Sequence, residues 1–160
     1  AVHSNAQHMS ALWLSALIVL AADQLSKRFV MHALLPNESR TAIPHVLWWD
    51  YVQNTHGAFG LFGDSAALLI VMALVVLAIF WFAFRDAARH SLLVRIAFGA
   101  IVGGAIGNIV DRIHYHFVVD FIDLRWWPVF NVADSCISVG VVALVLVSLR
   151  TESVRRQTGR

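Results

Sequence analysis

The sequence has little charge and almost no cysteine. Only 14% of its 160 residues are Asp, Glu, Lys or Arg, whereas 59% are hydrophobic. Soluble domains contain about 25% charged residues, so this composition excludes an ordinary soluble domain and indicates an integral membrane protein. The single cysteine, Cys136, excludes an internal disulfide framework. Because it lies in an apolar helical stretch, an inert buried thiol is favoured over a nucleophile.

Several catalytic motifs are also missing. The sequence contains no H-E-x-x-H; His114 and His116 alone are a weak signal for a metal site, so we expect no metal ion and no cofactor. There is no G-x-S-x-G turn, and Ser26 and Lys27 are sequence neighbours that point in different directions. The net charge is only +2, and the arginines cluster at the ends of apolar stretches. We therefore expect no nucleic-acid partner.

What is present is a set of four apolar stretches. They run from about Ala11 to Val30, Ala66 to Phe84, Leu92 to Val110 and Val129 to Leu149. Each approaches the roughly 20 residues that a helix needs to cross a bilayer, which predicts an all-α membrane protein with four transmembrane helices. We expect one membrane domain over residues 10–152. A non-native remnant over residues 1–9 would precede it, and a basic cytoplasmic tail over residues 153–160 would follow.

The positions of the arginines orient this bundle. Arg85, Arg89 and Arg95 lie between the second and third stretches, and Arg150 and Arg155 lie in the tail. Basic flanks prefer the cytoplasm, so both termini are expected there. Polar residues of the first, third and fourth spans would then meet at the outer face of the membrane, together with Asp120 from the loop that connects the third and fourth spans.

The connection between the first two spans is long and has strand-like composition. Residues 31–65 separate the spans, and Val46–Gln53 is rich in aromatic and β-branched residues. We expect a small periplasmic β platform here, lying over the bundle.

Asp120 and Asp134 are the candidate catalytic residues. A carboxylate near hydrocarbon costs a few kcal/mol or more and usually marks a working site. Neither aspartate has a basic neighbour in its local sequence, whereas Asp123 is close to Arg125 and is expected to be solvated. Two carboxylates in one pocket have split pKa values, so one can act as an acid and the other as a base. This arrangement predicts peptide hydrolysis by an activated water.

Other polar residues are expected to support these two. Asp23 and Lys27 are four residues apart and can form an ion pair on one helix face. Gly104, with its neighbours Gly103 and Gly107, permits close helix packing. Asp111 and Arg112 are expected to compensate each other's charge, which would leave Asn108 available to a peptide.

Two other classes of protein are compatible with an apolar bundle. A transporter with a proton relay would have ionisable residues throughout the membrane depth, whereas here they gather at one face. A structural scaffold accounts for the bundle but not for the unpaired aspartates.

Five motifs in order give a resemblance to a known family. They are Asp23-Gln24-x-Ser26-Lys27, the segment Asn54 to Gly60, Gly103 to Arg112, Val119 to Asp123 and Phe130 to Ser135. Together they resemble the bacterial lipoprotein signal peptidases (type II) over most of the chain. His56 stands where the family usually has a glycine, which leaves the path of that loop open.

The resemblance implies an aspartyl endopeptidase of the bacterial inner membrane. It would cleave the signal peptide from diacylglyceryl-modified prolipoproteins, on the amino side of the modified cysteine, near the periplasmic face. By motif position, the dyad is Asp120 and Asp134, and the supporting residues are Asp23, Lys27, Gly104 and Asp111. The residues implied to bind substrate are Asn54, Asn108, Arg112 and Asn131. Membrane lipid and globomycin-type inhibitors are the other implied partners.

Overall fold

The computed structural model describes the backbone of residues 2–56 and 65–158 and the side chains within residues 10–56 and 65–150. The segment Gly57 to Gly60 of the second motif lies outside the described residues. The helices are α1 (Val2–Ala33), α2 (Ala66–His90), α3 (Leu92–Tyr115) and α4 (Val132–Thr158). The strands are β1 (Ser39–Ile43), β2 (Leu47–Asn54) and β3 (Val118–Asp123).

Three of the described helices are long and apolar enough to cross a membrane. They are α2, α3 and the part of α4 from Val132 to Arg150. These three match three of the four predicted spans. Helix α1, whose second half carries Asp23, Lys27 and Arg28, is not among them within the described residues.

Serine side chains cap helices at both ends of the bundle, Ser65 at the end near the sheet and Ser91 at the opposite end. The Ser65 hydroxyl accepts a hydrogen bond from Leu68 N at the start of α2. Ser91 ends α2 and begins α3, since its N–H donates to Ala87 O and its hydroxyl accepts from Val94 N. One residue therefore joins two antiparallel helices, and side-chain oxygen at a helix start satisfies otherwise unpaired N–H groups.

Helix α3 is the centre of the bundle, and its glycines let the neighbouring helices approach. A Cβ atom at Gly103 would lie 2.9 Å from Ala16 Cα on α1. A Cβ atom at Gly104 would lie 2.7 Å from Ala133 O and 2.9 Å from Ile137 Cγ1 on α4. Glycine at these positions lets the backbones of α1 and α4 pack closely on α3. Polar side chains on the three helices then lie within hydrogen-bonding distance of one another.

The platform is an antiparallel three-stranded sheet in the order β1-β2-β3. The predicted platform between the first two helices supplies only β1 and β2, and β3 comes from the connection between α3 and α4. The prediction of a mostly helical protein with a small β platform is therefore confirmed, whereas the placement of Asp120 in a loop was wrong. Residue pairing of Val52 with Asp120 and of Asn54 with Val118 brings Asn54 close to Asp120.

The sheet packs against the end of α1. Val30 of α1 and Leu34, which directly follows the helix, form one apolar cluster with Tyr51, Val119 and Phe121 of the sheet. Because β3 alternates sides along its length, the same strand that packs on α1 also turns Asp120 toward the ends of α3 and α4.

Candidate active site

Asp120 is held in place on β3 by two asparagine side chains. Its Oδ1 accepts a hydrogen bond from Asn131 Nδ2 at 2.7 Å, and its Oδ2 accepts one from Asn54 Nδ2 at 2.8 Å. The side chain is only 2% exposed. The sheet and the start of α4 therefore fix both oxygens of a carboxylate that is shielded from solvent.

Asp134 lies in the first turn of α4, where Asn131 begins the helix. Asn131 Oδ1 accepts from Asp134 N at 2.9 Å, and Asp134 Oδ2 accepts from Asn131 N at 3.3 Å. This reciprocal pattern is a capping box, with asparagine and aspartate as its members. The cap fixes the Asp134 carboxylate near the positive end of the helix dipole.

Two asparagines connect the carboxylates. Asn131 Nδ2 donates to Asp120 Oδ1 and, at 3.2 Å, to Asn108 Oδ1. Asn108 Nδ2 in turn donates to Asp134 Oδ1 at 2.8 Å. The structure thus brings together Asn54, Asn108, Asp120, Asn131 and Asp134, which the sequence predicted for one site.

A buried lysine lies behind this pair of aspartates. Lys27 Nζ is 2.8 Å from Asp23 Oδ2, 2.9 Å from Asp111 Oδ2 and 2.9 Å from Asn108 Oδ1. Lys27, Asp23 and Asp111 are each at most 1% exposed. The predicted pairing of Asp23 with Lys27 is present. The Asp111 carboxylate pairs directly with Lys27, and the expected charge compensation with Arg112 acts only through space.

Asn108 is not available in the way that the sequence predicted. Its amide oxygen accepts from Lys27 and Asn131, and its amide nitrogen donates to Asp134. Asn108 therefore orders Asp134 directly and Asp120 through Asn131, and it also lines the cavity that the aspartates face.

Asp23 connects the lysine cluster to the start of α4. Its Oδ1 accepts from Ala133 N at 2.9 Å. Gly107 on α3 makes room for it, because a Cβ atom there would collide with the Asp23 carboxylate. Gln24, which sequence reasoning left without a role, donates to Asp111 Oδ1 at 2.9 Å and to Gly107 O at 3.2 Å. The position of Gln24 between Asp23 and Lys27 in the first motif was the sequence signal that could have indicated this role.

The two aspartates face a cavity of about 260 Å³. Arg112 also lines it, and its Nη1 donates to Asn108 O at 3.3 Å. The Arg112 Nε is buried and has no hydrogen-bond partner among the described residues. Apolar and aromatic residues that the sequence did not single out complete the lining: Val118, Trp127, Pro128, Val129, Phe130 and Ile137.

The surroundings of Asp120 favour its protonated form. Burial, followed by the nearby negative charge of Asp134, raises the pKa of Asp120 from 3.8 to about 7, against the opposing effect of the hydrogen bonds from Asn54 and Asn131. Removal of a carboxylate from water penalises the charged form, and a second carboxylate adds to that penalty. At neutral pH the pair can therefore hold one proton between them.

The remaining candidates lie elsewhere. Asp123 is 5% exposed and pairs with Arg125 at 3.0 Å, so the expectation that it is solvated was wrong. His116 ends α3 in the left-handed conformation and His114 contacts the Tyr115 ring edge-on. Within residues 10–56 and 65–150, no three His, Cys, Asp or Glu side chains are grouped to hold a metal ion.

Known proteins are similar to this chain in sequence and in fold. Residues 15–150 match the family model for signal peptidase (SPase) II. A lipoprotein signal peptidase of Syntrophomonas wolfei subsp. wolfei is 45% identical over 143 residues, covering 86% of this chain and 91% of that protein. A lipoprotein signal peptidase of Halothermothrix orenii is 39% identical over 143 residues, covering 89% and 98%.

A solved structure agrees with the sequence comparisons. It is described as a bacterial membrane enzyme structure by the in meso method at 2.3 Å resolution, and it matches with a TM-score of 0.81 and 28% identity over 88% of each chain. Fold and site together define a helical membrane protein with a buried pair of aspartates where three helix ends and a small sheet meet. The chain belongs to the signal peptidase II family, and is thus a membrane protease.

Proposed function

We propose that this protein removes the signal peptide from diacylglyceryl-modified prolipoproteins by aspartic protease chemistry. The cut falls on the amino side of the lipid-modified cysteine. Support for the substrate class comes from the relatives, which are lipoprotein signal peptidases covered over most of their length. Support for the chemistry comes from the two aspartates.

One observation carries the proposal: Asp120 and Asp134 face the same cavity, and donors from the protein fix all four of their oxygens. Fixed donors around a reacting group require little rearrangement during the reaction. Asp134 lies at a helix N-terminus, which stabilises its ionised form relative to Asp120. The raised pKa of Asp120, about 7, suits the partner that holds the proton.

The reaction then follows from these two protonation states. The ionised Asp134 takes a proton from a water molecule, whose oxygen attacks the carbonyl carbon that precedes the modified cysteine. The protonated Asp120 donates its proton to the carbonyl oxygen. When the tetrahedral intermediate collapses, the C–N bond breaks, Asp134 passes its proton to the departing amine, and Asp120 recovers a proton from a hydroxyl of the intermediate as the new carboxyl group forms. The chemistry needs no cofactor.

Arg112 is the residue best placed to bind the peptide. Its Nε lies buried at the cavity without a partner among the described residues, so it can donate to a substrate carbonyl. Asn54, Asn108 and Asn131 also lie at or behind the cavity wall, but their amides already hold the carboxylates. We assign them contact with substrate in addition to their role in ordering the dyad.

We further propose four membrane spans, with α1 as the fourth, within a single domain over residues 10–152. The first half of α1 exposes Trp13, Leu14, Leu17 and Ile18, each more than half accessible, as expected for a face in contact with lipid. Asp23 and Lys27 in its second half are buried and paired, whereas Arg28 near the end of the helix is exposed. Both termini then lie in the cytoplasm, and the basic tail at residues 153–160 includes the last turns of α4.

In this arrangement the site opens at the periplasmic face of the bacterial inner membrane. Exposed Trp126 and Trp127 beside the cavity suit the boundary between lipid and water. The lipid chains of the substrate would stay in the bilayer while the peptide enters from the side, and globomycin-type inhibitors would compete for the same cleft.

The test is cleavage of a synthetic prolipoprotein peptide by purified protein in lipid nanodiscs. Mass spectrometry should show a product that begins with the diacylglyceryl cysteine, and the same peptide without its lipid should be cut far more slowly. Globomycin should stabilise the protein thermally and stop cleavage. Equal rates on lipidated and unlipidated peptide, or a cut at another bond, would contradict the substrate assignment.

A further inference from the structure

The hydrogen bonds around the dyad have a defined direction. An asparagine amide can present either its oxygen or its nitrogen to a neighbour, and only groups of fixed polarity settle which. A backbone N–H fixes Asn131, since Asp134 N must donate to its oxygen. A backbone N–H from His56 fixes Asn54 in the same way, at 3.1 Å.

Among the described residues, no backbone group fixes the Asn108 amide, and a lysine settles its direction instead. Lys27 can only donate, so Asn108 must turn its oxygen toward Lys27 and its nitrogen toward Asp134. The bond from Asn131 to the same oxygen is longer, at 3.2 Å against 2.9 Å. A reversed amide would place its N–H groups against two donors in a buried site, which is unfavourable.

We propose that Lys27 is a positioning residue for the reaction, because it directs the Asn108 amide to donate to Asp134 and so keeps Asp134 as the ionised partner of the dyad. Lys27 never touches the substrate in this role. It acts through one uncharged amide, across a path of two hydrogen bonds from its ammonium to Asp134 Oδ1.

Asp23 and Asp111 hold the Lys27 ammonium in the position from which it donates to Asn108. Each accepts one hydrogen bond from Lys27, so that the third N–H of the ammonium is left for Asn108. Asp23 is itself held by Ala133 N, and Asp111 by Val119 N at 3.2 Å. An ion pair that only joined helices would not require a third bond to an amide that leads into the site.

The test compares two variants. In the wild type the cluster of Asp23, Lys27 and Asp111 carries one net negative charge, from two carboxylates and one ammonium. The double variant Lys27→Met/Asp111→Asn keeps that net charge but removes the donor to Asn108. The control Asp111→Asn keeps Lys27 and its bond to Asn108. Besides the neighbouring Asp120, the charged groups that bear on Asp134 are Lys27 on α1 and Arg112 on α3, and the control leaves all three in place.

Because this role rests on the proposed function, wild-type cleavage of the lipidated peptide is the baseline measurement. In the double variant, the pH at which kcat falls on the acidic side should rise by about one unit, since Asp134 loses the attraction of the Lys27 charge and the fixed donor to its charged form. Asn108→Ala, which keeps Lys27, separates the two effects. The kcat at neutral pH should fall about tenfold or more with KM little changed. Asp111→Asn should lower thermal stability but leave unchanged the acidic limb of the pH profile, that is, the fall of kcat at low pH.

A folded double variant with the wild-type acidic limb would overturn the role of Lys27. If the double variant cannot be purified folded, Asn108→Ala replaces it, because this change removes the donor to Asp134 and leaves the lysine cluster with both of its carboxylates. It should shift the acidic limb in the same direction, and an unshifted limb would refute the proposal. Failure of the wild type to cleave would instead refute the proposed function.

Discussion

The substitution Asp120→Asn should stabilise the protein while it removes activity. Asp120 is 2% exposed, and its pKa in the folded protein is about 7 against an ordinary 3.8. A pKa difference of about 3 units corresponds to about 4 kcal/mol of destabilisation once the group is fully ionised in both states. An uncharged asparagine of nearly the same shape removes that cost.

The gain in stability will be smaller than about 4 kcal/mol, because an asparagine at position 120 cannot accept both of the hydrogen bonds that the aspartate accepts. Two amide N–H groups, from Asn54 and Asn131, point at residue 120, and an asparagine has only one oxygen to receive them. Asn54 can turn its amide only by losing its bond from His56 N. Such a mismatch costs about 1–3 kcal/mol, which leaves a net gain of about 2 kcal/mol.

The sign with respect to pH follows from the direction of the shift. The folded protein holds the Asp120 proton more tightly than the unfolded chain, so stability from this group is greatest below about pH 4 and is lost as pH rises through about 7. The advantage of Asp120→Asn should therefore be largest near pH 8 and disappear near pH 4.

The assay is thermal unfolding in detergent across this pH range, for the wild type, Asp120→Asn and the control Asp123→Asn. Asp123 lies on the same strand, but its carboxylate pairs with Arg125 and accepts from Arg125 N, so its replacement should destabilise. An Asp120→Asn variant that is less stable than wild type near pH 8, or a difference that does not change with pH, would refute the reasoning.

Two further predictions concern activity and packing. Cleavage should decline above about pH 7, because Asp120 then loses the proton that it must donate; a rate that stays flat to about pH 9 would contradict this assignment. Gly107→Ala should destabilise by about 1–3 kcal/mol and lower kcat, because the new Cβ collides with the Asp23 carboxylate behind the dyad. Unfolding and cleavage measured on the same preparation test it, and unchanged stability would count against the described packing.

The helices were the part of the fold most accessible to sequence. The predicted stretches Ala66–Phe84 and Leu92–Val110 have the same starts as α2 and α3 but end several residues early. The apolar run marks the part of a helix that matches hydrocarbon, whereas the helix itself continues into polar residues such as Asp111 and His114 as long as its backbone bonds and cap permit.

The third strand could not be predicted in the same way. β3 joins β2, which precedes it by more than sixty residues, and no local pattern specifies that pairing. The six residues Val118–Asp123 were interpreted as a loop for this reason. Their register is what brings Asp120 toward Asn54, so the geometry of the site depends on a contact that sequence does not show.

The ion-pair partners of charged residues could not be predicted from the local sequence either. Asp111 has Arg112 beside it in sequence, yet neighbours on a helix point in different directions and Asp111 pairs with Lys27 on another helix. Asp120 and Asp134 could be singled out because they lack local partners in an apolar chain. Their fixed hydrogen bonds, and the lysine behind them, required the structure.

The most direct test of the central claim is the rate at which Asp134→Asn and Asp120→Asn release the signal peptide from a lipidated precursor, relative to Asp123→Asn. If Asp120 and Asp134 form the dyad, both variants should fold, bind globomycin and lose activity by at least about a hundredfold, since each removes a group that transfers a proton. Asp123→Asn should keep most of its activity. Near-native cleavage by either dyad variant would contradict the aspartic mechanism.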